Sequence, residues 1–443
     1  MSFAPDSQVL KPISQFRNIK ILPASMSDLT MNEEKWIESI IRQSEELHFE
    51  HPQERELSEL IVKECYANKN LRDIGIGRLL AGGFDLLVGA QYYSAISHAG
   101  WSYCPMEEPR LFFHYTNCCP RDVLSNKFNF SPSNKPASGR IGTATSRLLL
   151  LYYQSIFNHL GRTEKFLKGT EPVDAVVINK DKKKVLFAEI KASPLLTLPV
   201  SIPSERLTEQ VEGEPIDRQH SSVDNTTLYS SDLEILVPKR TKNSEWSERY
   251  FKIGRRKNAD DRDWAFRGLI ELIKEDDSFM REYFEFWNQS LLSYHPKSND
   301  SIFWLTNACG TPIPAPSGWP TRRRGEGYES VSDSKTSVGM DRTDDIKKGI
   351  YQVLKLGSVG KIQSSDWDYK VGLISNIHAA RHFEEYLDSL KDVVWALDSS
   401  GKAKHIGDLP DDQPLYNLFD GVIALTSTLS RDDWIDAIFS NLE

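Results

Sequence analysis

The pattern of apolar and polar positions divides the 443-residue chain into distinct regions. In the first 140 residues apolar side chains recur every three or four positions, which is the period of amphipathic helices. Such segments lie near 33–47, 54–67 and 74–97, and a strongly apolar helix is predicted at 143–160. The pattern therefore predicts an N-terminal helical unit over residues 1–140.

The period then shortens to that of β-strands. DAVVI (174–178) and VLFAEIKA (185–192) are β-rich runs, and the polar segment NKDKKK between them suits an exposed turn. Together they predict a β-hairpin within residues 141–200.

Residues 201–335 interrupt this pattern and are interpreted as an insertion. The insertion begins with a polar stretch, and it contains predicted strands DLEILVP (232–238) and SIFWLT (301–306) and an aromatic helical region at 264–294. Residues 336–443 return to α/β alternation, with helices predicted at 344–356 and 379–390 and strands at 369–375 and 421–426. The two flanking parts, 141–200 and 336–443, are expected to form one α/β core.

Composition narrows the class of protein. Apolar residues make up 39% and charged residues 26%, as in globular proteins, and the formal net charge of -9 argues against nonspecific coating of nucleic acid. A local basic cleft is still compatible with that charge.

The start of the sequence shows no secretory signal pattern, and the apolar stretch 79–96 includes Asp85, which suits a buried helix better than a membrane span. A cytoplasmic protein without a membrane partner is expected.

The five cysteines form no CxxC pair, so neither a disulfide framework nor a zinc module is predicted. A zinc site built from Cys104, Cys118 and Cys119 with His114 would match no common spacing. Buried thiols are the preferred interpretation.

The predicted hairpin brings three chemically active residues together. Glu189 and Lys191 are two apart on a strand and therefore emerge on one face, and the hairpin places Asp174 beside them. Two neighbouring carboxylates repel each other unless a divalent cation lies between them, and a lysine can then position an attacking water. This set suits phosphodiester hydrolysis. A structural ion pair at a sheet edge is the alternative, because acid-x-Lys patterns recur elsewhere, as at Asp181 and Lys183.

Pro172-Val173-Asp174, fourteen further residues and then Glu189-Ile190-Lys191 resemble the motif of the PD-(D/E)XK nuclease superfamily, and more narrowly its type II restriction endonucleases. The extra Val173 departs slightly from the pattern. The resemblance implies an α/β, restriction-endonuclease-like core with a mixed central sheet flanked by helices. It implies Asp174, Glu189 and the Ile190 carbonyl as Mg²⁺ ligands and Lys191 as the residue that positions water.

The family also tends to carry an acidic residue on the helix before the hairpin. The predicted helix 143–160 has none. The accessory ligand is therefore absent, supplied by Glu164 or Glu171, or replaced by Gln154.

A second resemblance lies at 334–357, where such families place a core helix that turns Gln, Lys or Tyr toward DNA. Ile346, Ile350, Val353 and Leu354 form an apolar stripe, whereas Lys348, Tyr351, Gln352 and Lys355 share another face. Lys348, Gln352 and Lys355 are accordingly predicted to bind DNA. A solvated polar face is the alternative.

Arg322, Arg323 and Arg324 are predicted to contact bases or phosphates, because a guanidinium matches both guanine and phosphate. A charged solvent loop is the alternative. The insertion is expected to hold recognition elements, and the N-terminal unit to serve recognition or dimerisation.

The expected activity is site-specific cleavage of double-stranded DNA with Mg²⁺. A homodimer would serve a palindromic target, and a cognate DNA methyltransferase would complete a restriction-modification system. A structure-selective repair or recombination nuclease and an inactive DNA-binding relative are the alternative functions.

Overall fold

The computed structural model describes residues 36–442, apart from 107, 117, 127–130, 132, 137, 205–219, 297–300, 308–337, 342, 364, 398–404 and 441. The predicted DNA contacts Arg322, Arg323 and Arg324 lie outside these described residues.

The described chain contains both α-helices and β-strands. The α-helices are α1 Trp36–Gln43, α2 Pro52–Ala67, α3 Ile76–Tyr93, α4 Pro120–Leu124, α5 Ser138–His159, α6 Asn225–Ser230, α7 Trp264–Glu275, α8 Asp277–Tyr294, α9 Thr343–Gly360, α10 Phe383–Tyr386 and α11 Asp433–Ile435. The strands are β1 Glu45–Glu46, β2 Trp101–Cys104, β3 Arg110–Phe113, β4 Lys165–Lys168, β5 Ala175–Asn179, β6 Lys184–Ile190, β7 Val200–Pro203, β8 His220–Ser221, β9 Leu233–Leu236, β10 Lys239–Arg240, β11 Trp246–Ser247, β12 Tyr250–Gly254, β13 Asp368–Ser375, β14 Val394–Trp395, β15 Tyr416–Asn417, β16 Gly421–Ala424 and β17 Thr428–Ser430. In the part described, none of the helices is long and apolar enough to cross a membrane.

The central sheet has the strand order β1-β4-β5-β6-β13-β16-β17. Strands β4, β5 and β6 are antiparallel, whereas β13 runs parallel to both β6 and β16. Because side chains alternate across a strand, Val177 packs in the cluster that contains Tyr153 of α5, and Val176 packs in the cluster that contains Val353 of α9. The prediction of a mixed central sheet flanked by helices is confirmed.

A second, antiparallel sheet has the order β12-β9-β7-β3-β2-β8. Strands β2 and β3 lie within residues 1–140, which were predicted to be mainly helical, although no helix was predicted at these positions. They pair with strands that follow the hairpin in the chain. Trp101 of β2, Ile235 of β9 and Leu186 of β6 belong to one buried cluster. The two sheets therefore share a core.

Three local predictions are wrong. SIFWLT, predicted as a strand, forms a 3₁₀-helix at Ser301–Leu305. Its apolar residues are buried in an unbroken run, and the hydrophobic pattern of such a run does not distinguish a strand from a helix. The helix predicted at 379–390 is reduced to α10 and a 3₁₀ turn, since the backbone N–H groups of Arg381 and His382 bind the Asp341 carboxylate instead. Leu354, expected in the core stripe of α9, is 40% exposed.

Candidate active site

The predicted hairpin is present as strands β5 and β6. Ala175 pairs with Ala188 at the open end, and Asn179 pairs with Lys184 at the turn. The turn ends at Lys183, which has a φ of 51°. Both strands are buried over most of their length, because one sheet face packs on α5 and the other on α9.

Asp174, Glu189 and Lys191 meet at the open end of this hairpin. The Ile190 backbone N–H donates to Asp174 Oδ2 over 3.0 Å, and Lys191 Nζ lies 2.5 Å from Glu189 Oε1. The Lys191 backbone N–H donates to the Ile374 carbonyl of β13 over 2.9 Å. The predicted proximity of the three side chains is confirmed.

The site opens on the side of the sheet that carries α9. Phe187 of β6 packs in the cluster with Val353 of α9, and alternation along β6 puts Glu189 on that same side. The side-chain amide of Gln352 donates to the Pro172 carbonyl. Helix α9 is thereby held against the segment that leads into Asp174.

The charges of the site are not balanced by the lysine alone. Burial, and then the neighbouring Asp174, raise the pKa of Glu189, whereas Lys191 acts in the opposite direction. The side chains of Glu189 and Lys191 are 15% and 19% exposed, and Asp174 is exposed. With both carboxylates ionised, two negative charges face one positive charge, so the site attracts a cation.

The available donor atoms suit a hard divalent cation. In a strand the N–H and C=O groups of one residue point to the same side. The Ile190 N–H donates to Asp174, so the Ile190 carbonyl is directed to the side of Asp174 as well. The carboxylates of Asp174 and Glu189 and this carbonyl form an all-oxygen set, which is the chemistry that Mg²⁺ prefers. The residues therefore fit the ion that the motif implies.

Two of the three candidates for an accessory ligand lie elsewhere. Glu164 Oε1 accepts from Asn179 Nδ2 over 2.8 Å, and Gln154 Oε1 accepts from the Phe166 N–H over 3.1 Å. Asn179 is at the opposite end of β5 from Asp174, roughly 17 Å away for five extended residues. Of the three, exposed Glu171 alone precedes Asp174 closely enough to serve.

The predicted DNA-binding residues on α9 have different surroundings. Lys348 and Lys355 are exposed, and Tyr351 between them is 66% exposed. Gln352 is partly buried, and its amide is engaged by Pro172. The two lysines are exposed to solvent, whereas Gln352 holds the helix against the segment before Asp174.

Sequence reasoning missed Asp85 as a support of the site. Asp85 is fully buried, and its Oδ2 accepts from the N–H groups of Leu195 and Leu196 and from Trp287 Nε1 over 2.7–2.9 Å. Burial raises the pKa of Asp85 to about 8. The carboxyl holds the segment that follows Lys191. The available signal was a single acid inside an apolar helix.

Asn376 was also missed. Its Oδ1 accepts from the Ser193 N–H over 3.1 Å, and its Nδ2 donates to the Ser193 carbonyl over 2.8 Å. This pair of hydrogen bonds ties the chain after Lys191 to the end of β13. A polar residue directly after a buried strand was the signal in the sequence.

Comparisons of the chain with protein-family models, with curated proteins and with solved structures found no match. The residues at the open end of the hairpin are therefore the basis for the function proposed below.

Proposed function

We propose that this protein is a Mg²⁺-dependent endonuclease that cleaves double-stranded DNA at specific sites, in the manner of a type II restriction enzyme. One observation carries the proposal: Asp174, Glu189 and Lys191 converge at the open end of one hairpin, at the surface of an otherwise apolar sheet. Glu189 and Lys191 are paired and mostly buried, Asp174 beside them is exposed, and the two carboxylates outnumber the one ammonium group. This partly buried excess of carboxylates, with the pKa of Glu189 raised, favours chemistry over a merely solvated ion pair.

Asp174, Glu189 and the Ile190 carbonyl would hold the metal ion. When bound, Mg²⁺ would supply Lewis-acid stabilisation of the negative charge that develops on the scissile phosphate. The hydrogen bond from the Ile190 N–H keeps Asp174 in place before the ion arrives. Preorganisation of this kind avoids reorganisation cost during the reaction.

Lys191 has two roles in the proposed reaction. Its ammonium, 2.5 Å from Glu189 Oε1, is oriented by that carboxylate. From this position it donates a hydrogen bond that orients the attacking water, and it offsets charge on the phosphoryl oxygens in the transition state. Cleavage of the P–O bond would leave 5′-phosphate and 3′-hydroxyl ends.

DNA would approach over the exposed face of α9. Lys348 and Lys355 are exposed about one turn before and one turn after Gln352, whose amide donates to the Pro172 carbonyl two residues before Asp174, and this supports such an approach. A homodimer would bring one site to each strand of a palindromic target. A DNA methyltransferase of the same specificity would then protect the host sequence.

The test is digestion of a long, unmodified DNA with Mg²⁺, followed by sequencing of the ends. We expect a fixed set of fragments from the wild-type chain and none from Asp174→Ala, Glu189→Ala or Lys191→Ala. Asp181→Ala is the matched control, because Asp181 heads the same acid-x-Lys pattern in the exposed turn of the same hairpin. A Glu189→Ala variant that cuts at the wild-type rate would remove this site from consideration.

The same digest distinguishes site-specific cleavage from the two alternative functions. Ends at one recurring sequence support a site-specific enzyme. Cuts confined to branched or damaged substrates would instead indicate a structure-selective nuclease, and metal-dependent binding without turnover would indicate an inactive relative.

A further inference from the structure

Three side chains of metal-ligating types come together where the end of β2, in the second sheet, meets the start of α4. Cys104 ends β2, Cys119 immediately precedes α4, and Asp122 lies in the first turn of that helix. One donor atom from each of the three side chains lies within 4.8 Å of the other two. The residues are 1%, 2% and 3% exposed.

The arrangement places two sulfur atoms and a carboxylate together in the interior. The Sγ atoms of Cys104 and Cys119 are 3.1 Å apart. A carboxylate and two potential thiolates gathered at such depth would be stabilised strongly by a cation bound among them.

We propose that Cys104, Cys119 and Asp122 bind one zinc ion. Thiolate ligands select zinc over Mg²⁺ or Ca²⁺, and a carboxylate oxygen is an accepted third ligand. Three protein ligands leave one tetrahedral position for water or a further group. Zinc bound here ties the start of α4 to the end of β2.

The local spacing explains why sequence templates do not detect the cluster. Cys119-Pro120-Arg121-Asp122 has the spacing of a C-x-x-C pair, with aspartate at the position of the second cysteine. Cys104 lies fifteen residues before Cys119 in the chain, and the fold brings its Sγ to this pair. Metal templates that require paired cysteines therefore pass over it.

The first experiment measures metal content. The full chain is purified without chelators, dialysed against metal-free buffer and analysed for zinc by mass spectrometry. We expect about one zinc ion per chain, lost in Cys104→Ser and Cys119→Ser. Asp122→Asn should weaken zinc binding by at least about tenfold, since even outer-shell partners contribute that much. Cys118→Ser is the matched control, because Cys118 is an adjacent buried thiol outside the cluster.

A second measurement on the wild-type chain avoids dependence on variants that fail to fold. Co²⁺ replaces zinc in tetrahedral thiolate sites, and we expect visible absorption bands that stoichiometric Zn²⁺ abolishes. The absence of such bands together with zinc-free protein would overturn the proposal. So would an intact mass about 2 Da lower under non-reducing conditions, which indicates a Cys104–Cys119 disulfide.

The zinc proposal does not depend on the nuclease proposal. Glu189→Gln changes the hairpin only and should retain full zinc content whether or not the wild-type chain cuts DNA. Loss of zinc in Glu189→Gln would contradict a site formed by Cys104, Cys119 and Asp122.

Discussion

Glu189 combines a stability cost with a proposed functional role. Burial and the nearby Asp174 raise its pKa above the ordinary value, so folding favours the protonated carboxyl. As the pH rises through the interval between the ordinary and the raised pKa, the ionised side chain progressively destabilises the fold. A residue retained at such a cost is a candidate for function.

Replacing Glu189 by Gln should separate the two properties. We expect cleavage to fall by about 10²-fold or more, whereas the free energy of unfolding at pH 8 stays the same or rises. The gain in stability over the wild type should grow as the pH rises through the interval between the ordinary and the raised pKa, because only the wild-type side chain ionises there. Urea denaturation over a series of pH values measures this. A Gln variant that is markedly less stable at pH 8 would show that the ionised carboxylate is structural.

Lys191 and Asp174 should differ in what they contribute. Lys191→Met removes a positive charge beside the metal ligands, so Ca²⁺ or Mg²⁺ should bind at least as tightly as in the wild type while cleavage is lost. Asp174→Asn should lose both binding and cleavage. Isothermal titration with Ca²⁺, a cation expected to bind without turnover, distinguishes these outcomes. Weaker Ca²⁺ binding in Lys191→Met would argue against Lys191 as a purely catalytic group.

At the scale of elements, helices approach strands closely where glycine removes the side chain. A Cβ added at Gly268 of α7 would lie 1.7 Å from the Ile253 carbonyl oxygen of β12, which is backbone and unable to move aside easily. A Cβ at Gly357 of α9 would meet Val371 Cγ2 at 3.6 Å, an ordinary contact. The two glycines lie in helices that pack on different sheets, and the space around them differs.

These contacts predict opposite effects of alanine. Gly268→Ala should destabilise the fold by roughly 1–3 kcal/mol or more, because overpacking forces the backbone to shift. Gly357→Ala should be neutral or stabilising by up to about 1 kcal/mol, since alanine is the better helix former. Chemical denaturation of both variants provides the comparison. Equal losses of stability would mean that α9 lies as close to its sheet as α7 does.

Helix α9 also permits a test of how DNA is held. If its exposed face meets phosphates, Lys348→Ala and Lys355→Ala should weaken binding to specific and nonspecific DNA alike. Each should lower the slope of log affinity against log salt by roughly one unit. Lys183→Ala, an exposed lysine at the far end of the hairpin, is the control. Unchanged affinity and salt dependence would mean that this helix face is only solvated.

At the scale of the whole molecule, the two sheets are joined by one buried cluster that includes Trp101, Leu186, Ile235 and Trp287. We therefore expect both sheets to unfold as one cooperative unit. Native-state hydrogen exchange should give the same opening free energy for residues 175–190 and 233–254. Distinct opening free energies would indicate that the second sheet is an independent unit.

The sequence by itself determined the elements whose patterns are local. The hairpin follows from two β-rich runs and a polar turn, and the shared face of Glu189 and Lys191 follows from the two-residue period of a strand. Helix α9 was predicted at its correct place, since most of its core stripe repeats at helical spacing. These features depend on residues close together in the chain, so periodicity is enough to reveal them.

Only the tertiary structure decided which distant residues meet. Asp85 binds the backbone more than a hundred residues later, and Gln352 reaches Pro172 across 180 positions. Strands β2 and β3, from the N-terminal segment, join strands beyond the hairpin in a second sheet. Such contacts are selected by burial and by the need of buried polar groups for partners. Those requirements act across the whole folded chain, and no local period records them.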